Sequence, residues 1–91
     1  MEAILRIREV LGGNMVLGRT INSSFDLDDA IKRGFPFSAL EKVCETIALS
    51  WAEVIALLAS SSRTMARRKA RHQRLSTTES DRLARLVRIY A

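Results

Sequence analysis

The chain has 91 residues, which is the size of one domain. Its hydrophobic fraction of 47% and charged fraction of 27% are ordinary for a globular protein and exclude a wholly disordered chain. One cysteine excludes an internal disulfide and fits a reducing cytoplasm, and one histidine excludes zinc sites that need two imidazoles. The sequence holds no metal-binding motif, no obvious nucleophile–base pair and no apolar run of ~20 residues that could span a membrane. We therefore expect a cytoplasmic protein that is not an enzyme and that needs no metal or cofactor.

The net charge of +5 is unevenly distributed along the chain. Residues 1–62 contain six basic and eight acidic residues, a net charge of −2, whereas residues 63–91 contain nine and two, a net charge of +7. The stretch from Arg63 to Arg74 contains six cations and no acid. This segregation indicates contact with a polyanion if the cations share one face, and an ordinary solvated helix if they do not.

The first predicted element is a short amphipathic helix from Ala3 to Leu11, with Ile4, Ile7 and Leu11 at helical spacing. Gly12-Gly13-Asn14 ends it, and Met15–Ser24 shows no clear period, so an extended loop is expected there. The apolar stripe looks exposed. We therefore interpret residues 1–24 as a candidate oligomer contact, with packing on the domain's own core as the alternative.

Two helices are predicted between Asp26 and Leu49. The acids of Asp26-Leu27-Asp28-Asp29 suit the first turn of a helix, where the helix dipole favours negative charge, and Gly34 ends that helix. Phe35-Pro36 redirects the chain, because a residue before proline avoids the α region. Ser38 is then expected to cap a helix to about Leu49, whose apolar stripe comprises Leu40, Val43, Cys44 and Ile47.

Three more helices complete the prediction. Ser50-Trp51-Ala52-Glu53 has the spacing of a capping box and starts a helix that buries Val54, Ile55 and Leu58. After a break at Ala59-Ser60, a helix runs from Ser62 to about Ala70 with Met65 toward the core. Ser76-Thr77-Thr78-Glu79 is a similar box, ahead of a helix whose apolar face carries Leu83, Leu86, Val87 and Tyr90. The sequence thus predicts a compact all-α domain of five to six helices over residues 1–91.

Residues 50–70 have the layout of a helix-turn-helix, whose second helix enters the major groove of DNA. Small polar residues at the start of the second helix allow close approach, and outward arginines can pair with guanine or neutralise phosphates. The turn glycine common in such units is replaced by Ala59, and a helical hairpin with a basic surface is the competing interpretation. The expected DNA-binding residues are Ser61, Ser62, Arg63, Thr64, Arg67, Arg68 and Arg71.

Three segments resemble one protein family: Arg33-Gly34-Phe35-Pro36, the run from Ser50 to Arg68, and the run from Arg74 to Leu83. Within them, the Arg-Thr-Met-Ala-Arg-Arg and Glu-Ser-Asp-Arg stretches are the most specific. Over about residues 30–90 the chain resembles the N-terminal region of Xre/MbcA/ParS-type antitoxins, with residues 26–91 as the helix-turn-helix region.

The resemblance implies a Cro/Xre-like helical fold and an antitoxin of a type II toxin–antitoxin system. Such an antitoxin blocks an NAD-consuming RES-type toxin and represses its own operon by binding the operator as an oligomer. Toxin contact in the family comes from a following C-terminal domain, which we expect to be absent because the sequence stops at Ala91. The expected partners are operator DNA, a second copy of the chain in a homodimer, and a RES-type toxin, the last mainly through that C-terminal domain.

A second class of function is a protein-interaction module whose basic helix docks a toxin or another acidic partner without binding DNA. The spacing of Arg63, Arg67 and Arg71 beside small residues favours DNA.

Overall fold

The computed structural model describes residues 2–90, and the side chains of residues 3–89. Within residues 2–90 the chain forms helices α1 (Glu2–Val10), α2 (Gly13–Leu17), α3 (Ser24–Arg33), α4 (Phe37–Ile47), α5 (Trp51–Leu57), α6 (Ser62–Ala70) and α7 (Thr77–Tyr90). No strand occurs in this range. The all-α prediction is confirmed, and the predicted count of five or six helices is too low because the sequence pattern does not indicate α2.

Helix α2 occupies part of the segment expected to be a loop. Gly12 (φ 107°) and Gly13 (φ 82°) turn the chain after α1, and Gly18 (φ 72°) ends α2 in the left-handed conformation. The Asn14 side chain accepts a hydrogen bond from the Ile21 backbone at 3.0 Å, which ties α2 to the following segment. A helix of five residues is too short to show a 3.6-residue period. The expectation of an extended loop over Met15–Ser24 is therefore wrong for Met15–Leu17 and for Ser24, and it is confirmed for residues 18–23.

The apolar stripe of α1 belongs to the protein's own core. Ile4, Ile7 and Leu11 are 8%, 1% and 0% exposed. Helix α1 packs against α2, α4 and α7. The expectation that this stripe is exposed for an oligomer contact is therefore wrong, because the helices that cover it come from later in the chain.

The two helices between residues 24 and 47 begin earlier than expected. Ser23 caps α3 by accepting from the Asp26 backbone, which leaves Asp26 in the first turn. Pro36, not Ser38, precedes α4, since proline already has the φ that a helix start requires. Helix α4 ends at Ile47 rather than near Leu49. The predicted end of α3 before Gly34 is confirmed.

Helix α7 is packed against four others, α1, α3, α4 and α5. It buries Leu83, Ala84, Leu86 and Val87, as predicted for the first, third and fourth of these; the side chain of Tyr90 lies outside the described ones. The buried Ser80 hydroxyl accepts from the Phe35 backbone at 2.8 Å, and the Leu75 backbone donates to the Phe35 carbonyl at 2.9 Å. These bonds fix the connection between α6 and α7 against the link between α3 and α4.

Candidate nucleic-acid interface

The first helix of the candidate interface, α5, is held at its start by the predicted capping box. The Ser50 hydroxyl accepts from the Glu53 backbone at 3.1 Å, and the Ser50 backbone donates to the Glu53 carboxylate at 3.2 Å. These bonds lower the pKa of Glu53 below its ordinary value. Val54 and Ile55 are buried, as is Leu58 just beyond the helix, so α5 is anchored in the core.

The turn between α5 and α6 has the left-handed residue typical of a helix-turn-helix, and that residue is Ala59. Its φ is +54°. The Ala59 backbone donates to the Ala56 carbonyl at 3.0 Å, and the Ser60 backbone donates to the Ile55 carbonyl at 3.2 Å. This is the pair of bonds that defines a Schellman motif. Alanine thus takes the conformation that glycine ordinarily supplies in this turn.

Helix α6 is fixed at its start by Ser61 and along its length by Met65. The Ser61 hydroxyl accepts from the Thr64 backbone at 3.1 Å and donates to the Thr64 hydroxyl at 3.0 Å. Met65 is 0% exposed, and α6 packs against α5. The Ser61 side chain is therefore engaged in capping, and the half-buried Thr64 holds it through its backbone N–H and its hydroxyl.

The outer face of α6 carries most of the predicted DNA-binding residues. Arg63 and Arg67 lie one helical turn apart, and Arg71 follows a further turn on, at the C-cap. All three are exposed, and none forms an ion pair with another residue in the described part of the chain. The exposed Ser62 lies beside them at the start of the helix. The structure thus brings Ser61, Ser62, Arg63, Thr64, Arg67 and Arg71 onto one short helix and its two ends.

Arg68 differs from the other arginines of this helix. Its Nε lies 3.0 Å from the Glu79 Oε1, and its side chain is only 20% exposed. The Nε–H does not point along this contact, so the interaction is an ion pair rather than a directed hydrogen bond. The Arg68 guanidinium thus faces α7 instead of joining Arg63 and Arg67 in solvent.

Glu79 is the partner of Arg68 and also caps α7. Its carboxylate accepts from the Ser76 backbone at 2.8 Å, while the Ser76 hydroxyl accepts from the Glu79 backbone at 3.1 Å, which confirms the predicted capping box. Burial raises the pKa of Glu79, but the hydrogen bonds from Ser76 and Ser60 and the charge of Arg68 outweigh that effect and hold the pKa below its ordinary value. Glu79 therefore stays charged at neutral pH.

The hydrogen bond from the Ser60 hydroxyl to the second oxygen of Glu79, at 3.0 Å, is not predictable from the sequence. The capping-box spacing indicates that Glu79 bonds to Ser76, but no local pattern indicates contact with a turn 19 residues earlier. Arg68 lies three residues after the buried Met65, so helical spacing does place it nearer the core than Arg67, but it does not identify Glu79 as its partner.

Comparison with protein families gives a match to the antitoxin Xre-like helix-turn-helix domain over residues 26–88. The chain belongs to this family. Comparisons with curated proteins and with solved structures gave no match. The family assignment confirms the resemblance to Xre-type antitoxins and the helix-turn-helix fold, and it gives this Xre-like protein the coarse role of a DNA-binding antitoxin.

No helix in residues 2–90 is long and apolar enough to cross a membrane. Among the side chains that the structure describes, no group of three or more His, Cys, Asp or Glu residues is placed to hold a metal ion.

Proposed function

We propose that this Xre-like protein binds the operator of its own operon through α6 and represses transcription there. The observation that carries the proposal is the outer face of α6. Arg63, Arg67 and Arg71 are exposed and have no ion-pair partner among the described residues, while the helix that bears them is fixed by Ser61 and Met65. Unpaired guanidinium groups on a rigid helix are suited to bind a polyanion of defined shape.

The geometry supports different roles along the helix. Arg63 is in the first turn of α6, beside the small Ser61 and Ser62 side chains. In helix-turn-helix proteins the N-terminal residues of the second helix contact base edges, so Arg63 and Arg67 are the proposed base readers, with bidentate bonds to guanine. Arg71, beyond the end of the helix, is the proposed phosphate contact.

Arginine substitutions test the interface. In a mobility-shift assay with DNA from upstream of the chain's own gene, Arg63→Ala and Arg67→Ala are each expected to weaken binding by about 1–3 kcal/mol if each arginine reads a base. The fold should be unaffected because both side chains are exposed. Arg85→Ala is the matched control, since Arg85 lies on α7, is 75% exposed and pairs with Asp81. Equal effects of all three substitutions would contradict the assignment of α6 as the recognition helix.

We further propose that the operator-bound form is a homodimer. One short recognition helix contacts few base pairs, and helix-turn-helix proteins obtain specific affinity from two half-sites about 34 Å apart. The α1 stripe is buried, so the dimer contact must lie elsewhere on the surface. Light scattering on the protein with operator DNA is expected to give two chains per duplex. A complex of one chain per duplex would contradict the proposal.

A RES-type NAD-consuming toxin is the proposed protein partner, on the strength of the family to which the chain belongs. A stable protein–protein contact usually buries about 800 Å² per partner around an apolar anchor. The apolar side chains of α7 from Leu83 to Val87 are buried within this chain, which leaves Ile89, 79% exposed, as the exposed apolar side chain described on this helix. Co-expression of residues 1–91 with the toxin is therefore expected not to rescue growth. Rescue, or stoichiometric co-purification, would place the toxin contact within these residues.

A further inference from the structure

The Glu79 carboxylate links three parts of the interface. Its Oε1 lies 3.0 Å from the Arg68 Nε on α6 and accepts from the Ser76 backbone at 2.8 Å at the start of α7. Its Oε2 accepts from the Ser60 hydroxyl, in the turn between α5 and α6, at 3.0 Å. Glu79 is 7% exposed, so these contacts are largely shielded from water. One buried carboxylate therefore fixes the turn and the recognition helix relative to α7.

The position of α6 needs such a constraint. Recognition side chains must be held within about 0.5 Å of the productive geometry, and their supporting contacts decide whether they are. Met65 fixes the depth of α6 against the core, and Ser61 caps its start. The Arg68–Glu79 pair joins α6 directly to the start of α7.

We propose that Glu79 is a positioning residue for sequence recognition, acting through Arg68 and Ser60, and that Arg68 itself does not contact DNA. The proposal rests on the DNA-binding function proposed above. Arg68 is therefore not one of the arginines that neutralise phosphates. Instead, it orients the helix that carries Arg63 and Arg67.

The proposal predicts opposite effects on two kinds of binding when the carboxylate is neutralised. Glu79→Gln removes a negative charge beside α6 and leaves the Arg68 guanidinium without its ion-pair partner, while its 3.4 Å hydrogen bond to the Arg74 carbonyl remains. Non-specific binding depends on charge and counterion release, so it is expected to strengthen, with a salt slope steeper by about one phosphate contact. Specific binding depends on the orientation of α6, so it is expected to weaken. A carboxylate that only stabilised the fold would not strengthen one kind of binding and weaken the other.

The experiment measures affinity for two duplexes by fluorescence anisotropy. One is the duplex most enriched by the wild-type chain from a random-sequence library, and the other is a scrambled duplex of the same composition. The ratio of the two affinities is the readout. For Glu79→Gln this ratio is expected to fall about tenfold, the equivalent of one lost base contact. Circular dichroism and the melting temperature show whether each variant is folded.

Glu41→Gln is the matched control. Glu41 lies on α4 and pairs with Lys69 of the same recognition helix at 3.3 Å, but it is more exposed than Glu79 and has no hydrogen bond to the turn between α5 and α6. Neutralising it also frees a cation of α6. Binding to both duplexes is therefore expected to strengthen equally, with the ratio unchanged.

The outcomes separate the two proposals. Failure of the wild-type chain to enrich any sequence would refute the proposed function itself. Enrichment by the wild-type chain, together with an unchanged ratio for folded Glu79→Gln or a fall of equal size for Glu41→Gln, would overturn the positioning role alone. If Glu79→Gln does not fold, the same affinity ratio is measured for Ser60→Ala, which removes only the hydrogen bond from the Ser60 hydroxyl to the Glu79 carboxylate. A lowered ratio for this variant supports the proposal, and an unchanged ratio overturns it.

Discussion

Gly34 is the position at which a single methyl group is expected to damage the fold most. Its φ is +85°, a conformation that side chains disfavour, and a Cβ at this position would come well inside 3.0 Å of the Leu75 carbonyl oxygen. That oxygen belongs to the backbone, so it cannot rotate away. Leu75 also donates to the Phe35 carbonyl at 2.9 Å, and this bond would be strained by any shift of the segment.

The cost of Gly34→Ala has two parts. The disfavoured backbone conformation costs about 1–3 kcal/mol, and forced displacement of packed atoms costs about 1–3 kcal/mol more. A total of about 3 kcal/mol or more corresponds to a fall in melting temperature of about 12 °C or more for a domain of this size. Thermal unfolding followed by circular dichroism, with urea unfolding as a second measurement, gives both quantities.

Gly18→Ala is the matched control for this prediction. Gly18 has a φ of +72°, but a Cβ there would meet no atom within 4 Å. The substitution therefore incurs only the backbone cost, about 1–2 kcal/mol. If Gly34→Ala proved no more destabilising than Gly18→Ala, the close approach of Gly34 to Leu75 would be refuted.

Two further predictions concern salt and pH. If each protomer neutralises three to five phosphates, the logarithm of operator affinity should fall with the logarithm of salt concentration at a slope of about −3 to −5 per protomer; a flat titration would exclude polyanion binding. The folded-state pKa of Glu79 is lowered, so its stabilising contribution is present above the ordinary carboxyl pKa and is lost as the pH falls through the lowered value. Melting temperatures measured from neutral to acid pH should therefore fall less for Glu79→Gln than for the wild-type chain, and parallel curves would contradict this.

The sequence predicts the fold correctly where the interactions are local and wrongly where they join distant parts of the chain. The capping boxes at Ser50 and Ser76 are local, because each pairs a side chain with a backbone group three residues away, and both are confirmed. Helix α3 begins earlier than predicted because the Ser23 hydroxyl, and not Asp26, accepts the capping hydrogen bond. Helix α4 begins directly after Pro36, which precedes it without a side-chain capping bond. The burial of the α1 stripe depends on α4 and α7, which no local pattern indicates.

The same distinction applies to the candidate site. Helical spacing correctly predicts that Arg63, Arg67 and Arg71 share an exposed surface, since that follows from helix geometry alone. The ion pair between Arg68 and Glu79 depends on where α7 begins in space, and the helical period of α6 does not predict that position. The charge of the buried Glu79 distinguishes the arginines. Arg68 is held against α7 with its side chain 20% exposed, whereas Arg63, Arg67 and Arg71 remain exposed to a polyanion.

The turn of the helix-turn-helix gives a last prediction, because Ala59 occupies a position where glycine is usual. The left-handed conformation destabilises an L-residue by about 1–2 kcal/mol, and glycine removes this strain. Glycine also raises the entropy of the unfolded chain, which offsets part of that gain. Ala59→Gly is therefore expected to stabilise the protein by about 0.5–1 kcal/mol, with its φ of +54° unchanged. Ala56→Gly is the matched control, since Ala56 is also exposed but lies within α5, where the substitution should destabilise by about 1 kcal/mol. The same chemical change three residues apart should thus shift the melting temperature in opposite directions. A decrease for both variants would show that Ala59 does not adopt the left-handed turn from which α6 is oriented.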